Sequence, residues 1–138
     1  MSHESVLIVD DDAAVLRGLN LRLTAAGYHC VLCHNGASAL ELASSRPPDA
    51  IVVDGSLPDM DGIDFIRILS DSSEVNRIPV IVVSGAEEKR NGVLDAGARA
   101  FLLKPYDGKQ LIAAVTCAVA KPRVGGPGQP SAAIPRGA

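Results

Sequence analysis

The chain has 138 residues, 47% apolar and 21% charged, with 13 basic against 16 acidic side chains and a net charge of −3. At about 150 residues per domain this leaves room for one domain and a short appendage, with enough apolar material for a core and no sign of intrinsic disorder. Two Tyr, two Phe and no Trp make that core aliphatic and, with the acidic balance, argue against direct nucleic-acid binding through stacked rings or a basic surface.

The N-terminus reads Met1-Ser2-His3-Glu4, without a basic region leading into an apolar run, and no segment approaches the roughly 18 apolar residues that cross a bilayer. A soluble cytoplasmic protein without a membrane partner is expected. Three Cys, an odd and low number, cannot close a disulfide framework, so reduced thiols are expected.

In chain order, Val6 to Val9 is a strand-length apolar run. Helical spacing of Val15, Leu16, Leu19 and Leu23 follows, ended by Gly27. Tyr28 to Cys33 is the second strand, and Ala37, Leu40 and Leu42 mark the second helix. Ala50 to Val53 forms the third strand, after which Asp61 caps a helix carrying Ile63, Ile66 and Leu69. Pro79 opens a fourth strand, Val80 to Val83, and Gly97 closes the fourth helix. Ala100 to Leu103 is the fifth strand, and Leu111, Ile112, Val115 and Val119 place the last helix. From Lys121 to Ala138 the chain holds four Pro, four Gly and no acid, which reads as a flexible linker-like tail over 122–138 beyond a folded domain over 1–121.

Apolar strands alternating with helices imply a doubly wound α/β domain, a five-stranded parallel sheet covered by helices on both faces. In such sheets the functional crevice lies beyond the carboxyl ends of the strands. Strand one ends in Asp10-Asp11-Asp12, strand three in Asp54, strand four in Ser84-Gly85 and strand five in Lys104-Pro105. Carboxylates gathered there repel one another and need a cation. Lys104 and Mg²⁺ are the natural counterions, since Mg²⁺ takes oxygen ligands and keeps water and phosphate oxygens in the rest of its shell. A carboxylate beside a divalent ion, a Lys and a hydroxyl is equipment for phosphoryl transfer to Asp. The nucleophile is Asp54, nearest the centre of the sheet; Asp12 is assigned to capping the first helix.

The segments VLIVDDD, VVDGSLPDMDG, VIVVSG and GARAFLLKPY fall in the order and spacing of a two-component response regulator receiver domain, which residues 4 to about 121 resemble. The resemblance implies a flavodoxin-like strand order 2-1-3-4-5 with five helices, and Asp54 as phosphoacceptor. It implies a Mg²⁺ site of Asp10, Asp11, Asp54 and the Ser56 carbonyl, with Lys104 and Ser84 as the other catalytic side chains. Ser84 and Phe101 stand at the switch positions. A histidine kinase or histidine phosphotransfer protein is the implied donor, and the surface of helix 4, strand 5 and helix 5 the implied site for a downstream partner or a homodimer. Such a domain is not an enzyme beyond its own Mg²⁺-dependent phosphorylation and autodephosphorylation. Gly55, Gly85 and the pair Arg99-Ala100 depart from the usual pattern, Gly55 standing where a larger apolar residue is more common.

Two alternatives belong to other classes. Asp10-x-Asp12 followed by Ser84 and a Lys also resembles a haloacid-dehalogenase-type phosphatase with Asp10 as nucleophile, but only Asp107 follows Lys104 to supply its further acidic motif, and Asp54 is left idle. A phosphorylation-independent interaction module would not need the complete acid, hydroxyl and Lys set. The run His29-Cys30-Val31-Leu32-Cys33-His34 is read as a strand with Cys30 and Cys33 on opposite faces, about 10 Å apart, and not as a zinc or redox site. Cys117 is expected to be a small buried hydrophobe.

Overall fold

The apolar runs form five parallel strands, and the computed structural model describes residues 3–72 and 78–120. In chain order these are β1 (Ser5–Val9), α1 (Ala13–Ala25), β2 (His29–Cys33), α2 (Gly36–Ser45), β3 (Ala50–Asp54), α3 (Gly62–Ser70), β4 (Val80–Ser84), a 3-10 turn (Glu87–Lys89), α4 (Arg90–Ala96), β5 (Ala100–Leu103) and α5 (Gly108–Ala120). The sheet order is β2-β1-β3-β4-β5, as expected. The Pro/Gly-rich tail read over 122–138 lies outside the described residues.

Alternation along the strands builds two cores. Leu7, Val9, Ile51, Val53, Val80 and Val82 meet Ala39, Ala43, Phe65, Ile66, Leu69 and Val93 of α2, α3 and α4. Val6, Ile8, Val52, Ile81 and Val83 meet Leu16, Leu19 and Leu23 of α1 and Leu111, Val115 and Ala118 of α5. The helices start where their caps dictate. Asp12 accepts hydrogen bonds from the Ala14 and Val15 amides at 2.9 and 3.2 Å, and Asp61 accepts one from the Asp64 amide at 2.9 Å. Gly27 and Gly97 take positive φ values of 101° and 121° just past α1 and α4, where a Cβ would be strained.

Three local expectations change and one holds. The edge strand β2 is apolar but leaves Val31 and Leu32 38% exposed, because β1 covers only one of its sides. In α2 the buried face is made by Gly36, Ala39 and Ala43, while Ala37 is exposed. Cys117 is exposed, since the buried positions of α5 are Leu111, Val115 and Ala118 and residue 117 turns away from them. Cys33 and Cys30 do pack on opposite faces, and both flanking histidines are exposed.

Candidate functional site

Strand register brings the functional side chains to one edge. Val9 lies opposite Val53 in β1 and β3, Asp54 opposite Val83 in β3 and β4, and Ser84 opposite Leu103 in β4 and β5. Asp10, Asp54, Ser84 and Lys104 therefore lie at or just past the carboxyl ends of four strands, with β1 and β3 adjacent at the switch point of strand order.

Asp10, Asp11 and Asp54 each offer a carboxylate oxygen, and these atoms all lie within 4.8 Å of one another. Asp10 is buried, and burial pushes its carboxyl above the usual carboxylate range. The charges of Asp54 and Asp11 add to that, while the Asp12 amide and Lys104 oppose it. The Asp12 amide donates to Asp10 Oδ1 at 2.9 Å. Lys104 Nζ stands 3.4 Å from Asp54 Oδ1, with the Asp54 side chain 11% exposed, and the Ser56 amide donates to that same oxygen at 3.3 Å. The Lys104–Pro105 peptide bond is cis.

Ser84 is buried, and its Oγ accepts the Ala86 amide at 3.0 Å. The Lys104 amide donates to the Ser84 carbonyl at 2.8 Å, so hydroxyl and ammonium are carried by paired backbone. Gly55 lies close against Ser84. A Cβ at 55 would stand 3.1 Å from Ser84 Cβ and 3.3 Å from its Oγ, tighter than ordinary van der Waals contact. Phe101 is buried in the core shared with α3 and α4, so its ring already faces inward in this structure.

A family model described as the response regulator receiver domain matches residues 6–116. The chain belongs to the response regulator receiver domain family. It is 38% identical over 116 residues to the transcriptional regulatory protein KdpE of Mycobacterium tuberculosis, a match covering 83% of this chain and 50% of KdpE; it thus spans about half the length of that relative. Among solved structures it resembles a response regulator from Chloroflexus aurantiacus J-10-fl, with a TM-score of 0.83 and 29% identity, covering 87% of this chain and 100% of the other. The fold also matches the receiver domain of the sensor histidine kinase PA1611 from Pseudomonas aeruginosa PAO1, whose structure has magnesium coordinated in its active-site cleft. That match has a TM-score of 0.80 and 24% identity, covering 87% and 100% of the two chains. Membership in this two-component signalling family favours the receiver reading over the phosphatase alternative. Among the described residues no helix is long and apolar enough to cross a membrane.

Three further contacts were not read from the sequence. Asp59 accepts the Gly36 and Ala37 amides, and these two bonds hold its carboxyl below the usual range. Arg90 lies over the Phe101 ring. Tyr106 is half-buried, and burial followed by the charge of Asp10 pushes its phenol up. Asp59 and Tyr106 carry no periodic signature, and the charge run that includes Arg90 does not reveal its contact with Phe101.

Proposed function

We propose that this receiver domain accepts a phosphoryl group on Asp54 from a histidine kinase or histidine phosphotransfer protein and changes its affinity for a downstream partner in response. The observation that carries this reading is the environment of Asp54. Its carboxylate has the Lys104 ammonium at 3.4 Å and two further acids within 4.8 Å, at the carboxyl end of a strand in the centre of the sheet. Asp10, the nucleophile of the phosphatase alternative, is buried and has one oxygen occupied by the Asp12 amide.

In the proposed transfer an Asp54 oxygen attacks phosphorus in line, a P–O bond forms, and the P–N bond to the donor imidazole breaks as that ring leaves and takes up a proton. Lys104 holds one phosphoryl oxygen, and the Ser84 hydroxyl donates to another after turning its proton toward it. The donor set fits a hard divalent cation. Asp10, Asp11 and Asp54, with the Ser56 carbonyl, offer only oxygens, and the three carboxylates bring oxygen atoms within 4.8 Å of one another. Bound Mg²⁺ supplies the positive charge that neutralises the phosphoryl oxygens. No other catalytic activity is proposed.

The switch is a population shift. Ser84, drawn toward the phosphoryl group, pulls on the Ala86 amide and the turn that follows, deepening the inward preference of Phe101 and reshaping the surface of α4, β5 and α5. That surface, with Glu87, Glu88, Lys89, Arg90 and Lys109, is the proposed contact for a partner protein or a second copy, in the cytoplasm. Nucleic acid is not a proposed partner of this chain; any DNA contact made by a relative such as KdpE is a property of that longer protein. Incubating the protein with Mg²⁺ and a small phosphodonor tests the reading. One hydroxylamine-labile phosphoryl group per chain is expected, and its absence at saturating donor and Mg²⁺ would overturn the reading.

A further inference from the structure

Residues 55–61, which carry the Ser56 carbonyl, form a closed loop. The Gly62 amide donates to the Gly55 carbonyl at 3.0 Å and the Leu57 amide to the Met60 carbonyl at 3.1 Å, and Ser56 pairs with Asp61 in an antiparallel bridge. The base of the loop is β3. Its tip is clamped to α2, a helix that contributes nothing to the chemistry.

Asp59 makes the clamp. Its Oδ1 accepts the Gly36 amide and its Oδ2 the Ala37 amide, each at 2.9 Å. The local cap Asn35 takes only the Ser38 amide, at 2.8 Å. The first free donors of α2 are thus divided between a neighbour and a carboxylate more than twenty residues away, when a local cap is the ordinary solution. Met60 seals the same junction from its apolar side. A Cβ on residue 36 would stand 2.6 Å from Met60 Cγ and Sδ, so a side chain there would displace the Met60 thioether from the junction.

We propose that Asp59 is a positioning residue for Mg²⁺: by fixing the loop tip to α2 it sets where the Ser56 carbonyl stands relative to Asp10, Asp11 and Asp54. The inference rests on the reading of that cluster as a Mg²⁺ site. Mg²⁺ demands near-ideal octahedral geometry at short metal–oxygen distances, so a carbonyl on a loosened loop loses affinity. Groups that orient metal ligands typically change affinity about 10- to 100-fold when removed. Asp54 and Lys104 stand on or beside sheet strands and keep their places, so the effect falls on Mg²⁺ affinity and not on phosphoryl transfer once the site is full.

The test is a Mg²⁺ titration of the isotope-labelled full chain, followed through the amides of residues 54–57, for wild type, Asp59→Ala and Asp59→Asn. Phosphorylation rate by a small phosphodonor is measured in parallel as a function of Mg²⁺. Asp59→Ala should bind Mg²⁺ about 10-fold more weakly, and Asp59→Asn, which keeps one acceptor oxygen, should lose less. Both should regain the wild-type rate at saturating Mg²⁺. Should Asp59→Ala fail to fold, Met60→Ala loosens the same seat and should weaken Mg²⁺ in the same direction. Unchanged Mg²⁺ affinity in a folded variant whose Gly36 and Ala37 amides have lost hydrogen-exchange protection would make Asp59 a helix cap alone and overturn the proposal. A rate deficit that persists at saturating Mg²⁺ overturns it too. A wild type without Mg²⁺-dependent shifts at these amides would overturn the metal reading itself, an outcome distinct from normal wild-type binding with unaltered variants.

Discussion

The guanidinium carbon of Arg90 stands 4.8 Å from the centroid of the Phe101 ring. Glu87 grips that guanidinium with two bonds, at 2.7 and 3.0 Å, so a cation from the first turn of α4 is held over the aromatic ring of β5. Glu87 directly follows Ala86, whose amide is bonded to the Ser84 hydroxyl. Two contacts and the backbone between Ala86 and Glu87 therefore join buried Ser84 to buried Phe101 by way of the exposed Glu87–Arg90 pair.

Arg90→Ala should loosen the ring without unfolding the domain. The Glu87 ion pair is solvent-exposed and contributes little by itself, so a loss of less than about 4 °C in Tm is expected. The Phe101 ring signals, followed by aromatic NMR, should broaden or move toward solvent-exposed values. Unaltered ring signals would show that Arg90 does not restrain Phe101.

Gly55 sets the room available to Ser84. A single methyl at 55 meets Ser84 Cβ at 3.1 Å and Val82 Cγ1 at 3.5 Å, so Gly55→Ala requires shifts of a few tenths of an ångström. Gly55→Leu overpacks the site and should destabilise by about 1–3 kcal/mol in urea denaturation, while slowing phosphorylation by displacing the hydroxyl. Wild-type stability and rate in the Leu variant would mean that the neighbouring strands give way freely.

Ser84→Ala removes the hydroxyl and keeps Asp54 and Lys104. Asp54 should still accept phosphate, with the phosphate-dependent amide shifts across residues 87 to 110 reduced at least by half. Retention of the full pattern would contradict the role given to Ser84.

Tyr106 gives the pH dependence. Burial, then the Asp10 charge, raises its phenol above the ordinary value of 10.0. A group whose folded pKa is raised contributes stability that is complete below its unfolded value and is lost as pH rises through the folded one. Stability should therefore decline above about pH 10, with a Tyr106 component that Tyr106→Phe removes. Absorbance titration of the phenolates should show a late-ionising tyrosine, shifted down by Asp10→Asn. A Tyr106 phenol that ionises at or below the usual value would contradict its placement beside the acids.

Strand positions, helix caps and the four strand-end side chains are legible because each rests on a short-range signal: an apolar run, an Asp before a helix, a polar residue after an apolar run; the sheet order pairs strands distant in sequence and follows only from the family resemblance. The misreadings have equally local causes. In α2 the leucines outweighed the small residues Gly36, Ala39 and Ala43 that are in fact buried. In α5 the burial of Leu111, Val115 and Ala118 already places residue 117 on another face, a spacing the reading of Cys117 as buried ignored. The clamp of Asp59 on α2 and the cover of Arg90 on Phe101 join residues from different elements, and no periodicity encodes such pairs.

The central claim is that Asp54 is the phosphoacceptor, and intact-mass measurement of wild type, Asp54→Asn and Asp10→Asn after incubation with Mg²⁺ and a small phosphodonor tests it most directly. The account predicts one added phosphoryl group on wild type, none on Asp54→Asn, and slowed but detectable labelling of Asp10→Asn at high Mg²⁺. Labelling that persists in Asp54→Asn and vanishes only in Asp10→Asn would contradict it.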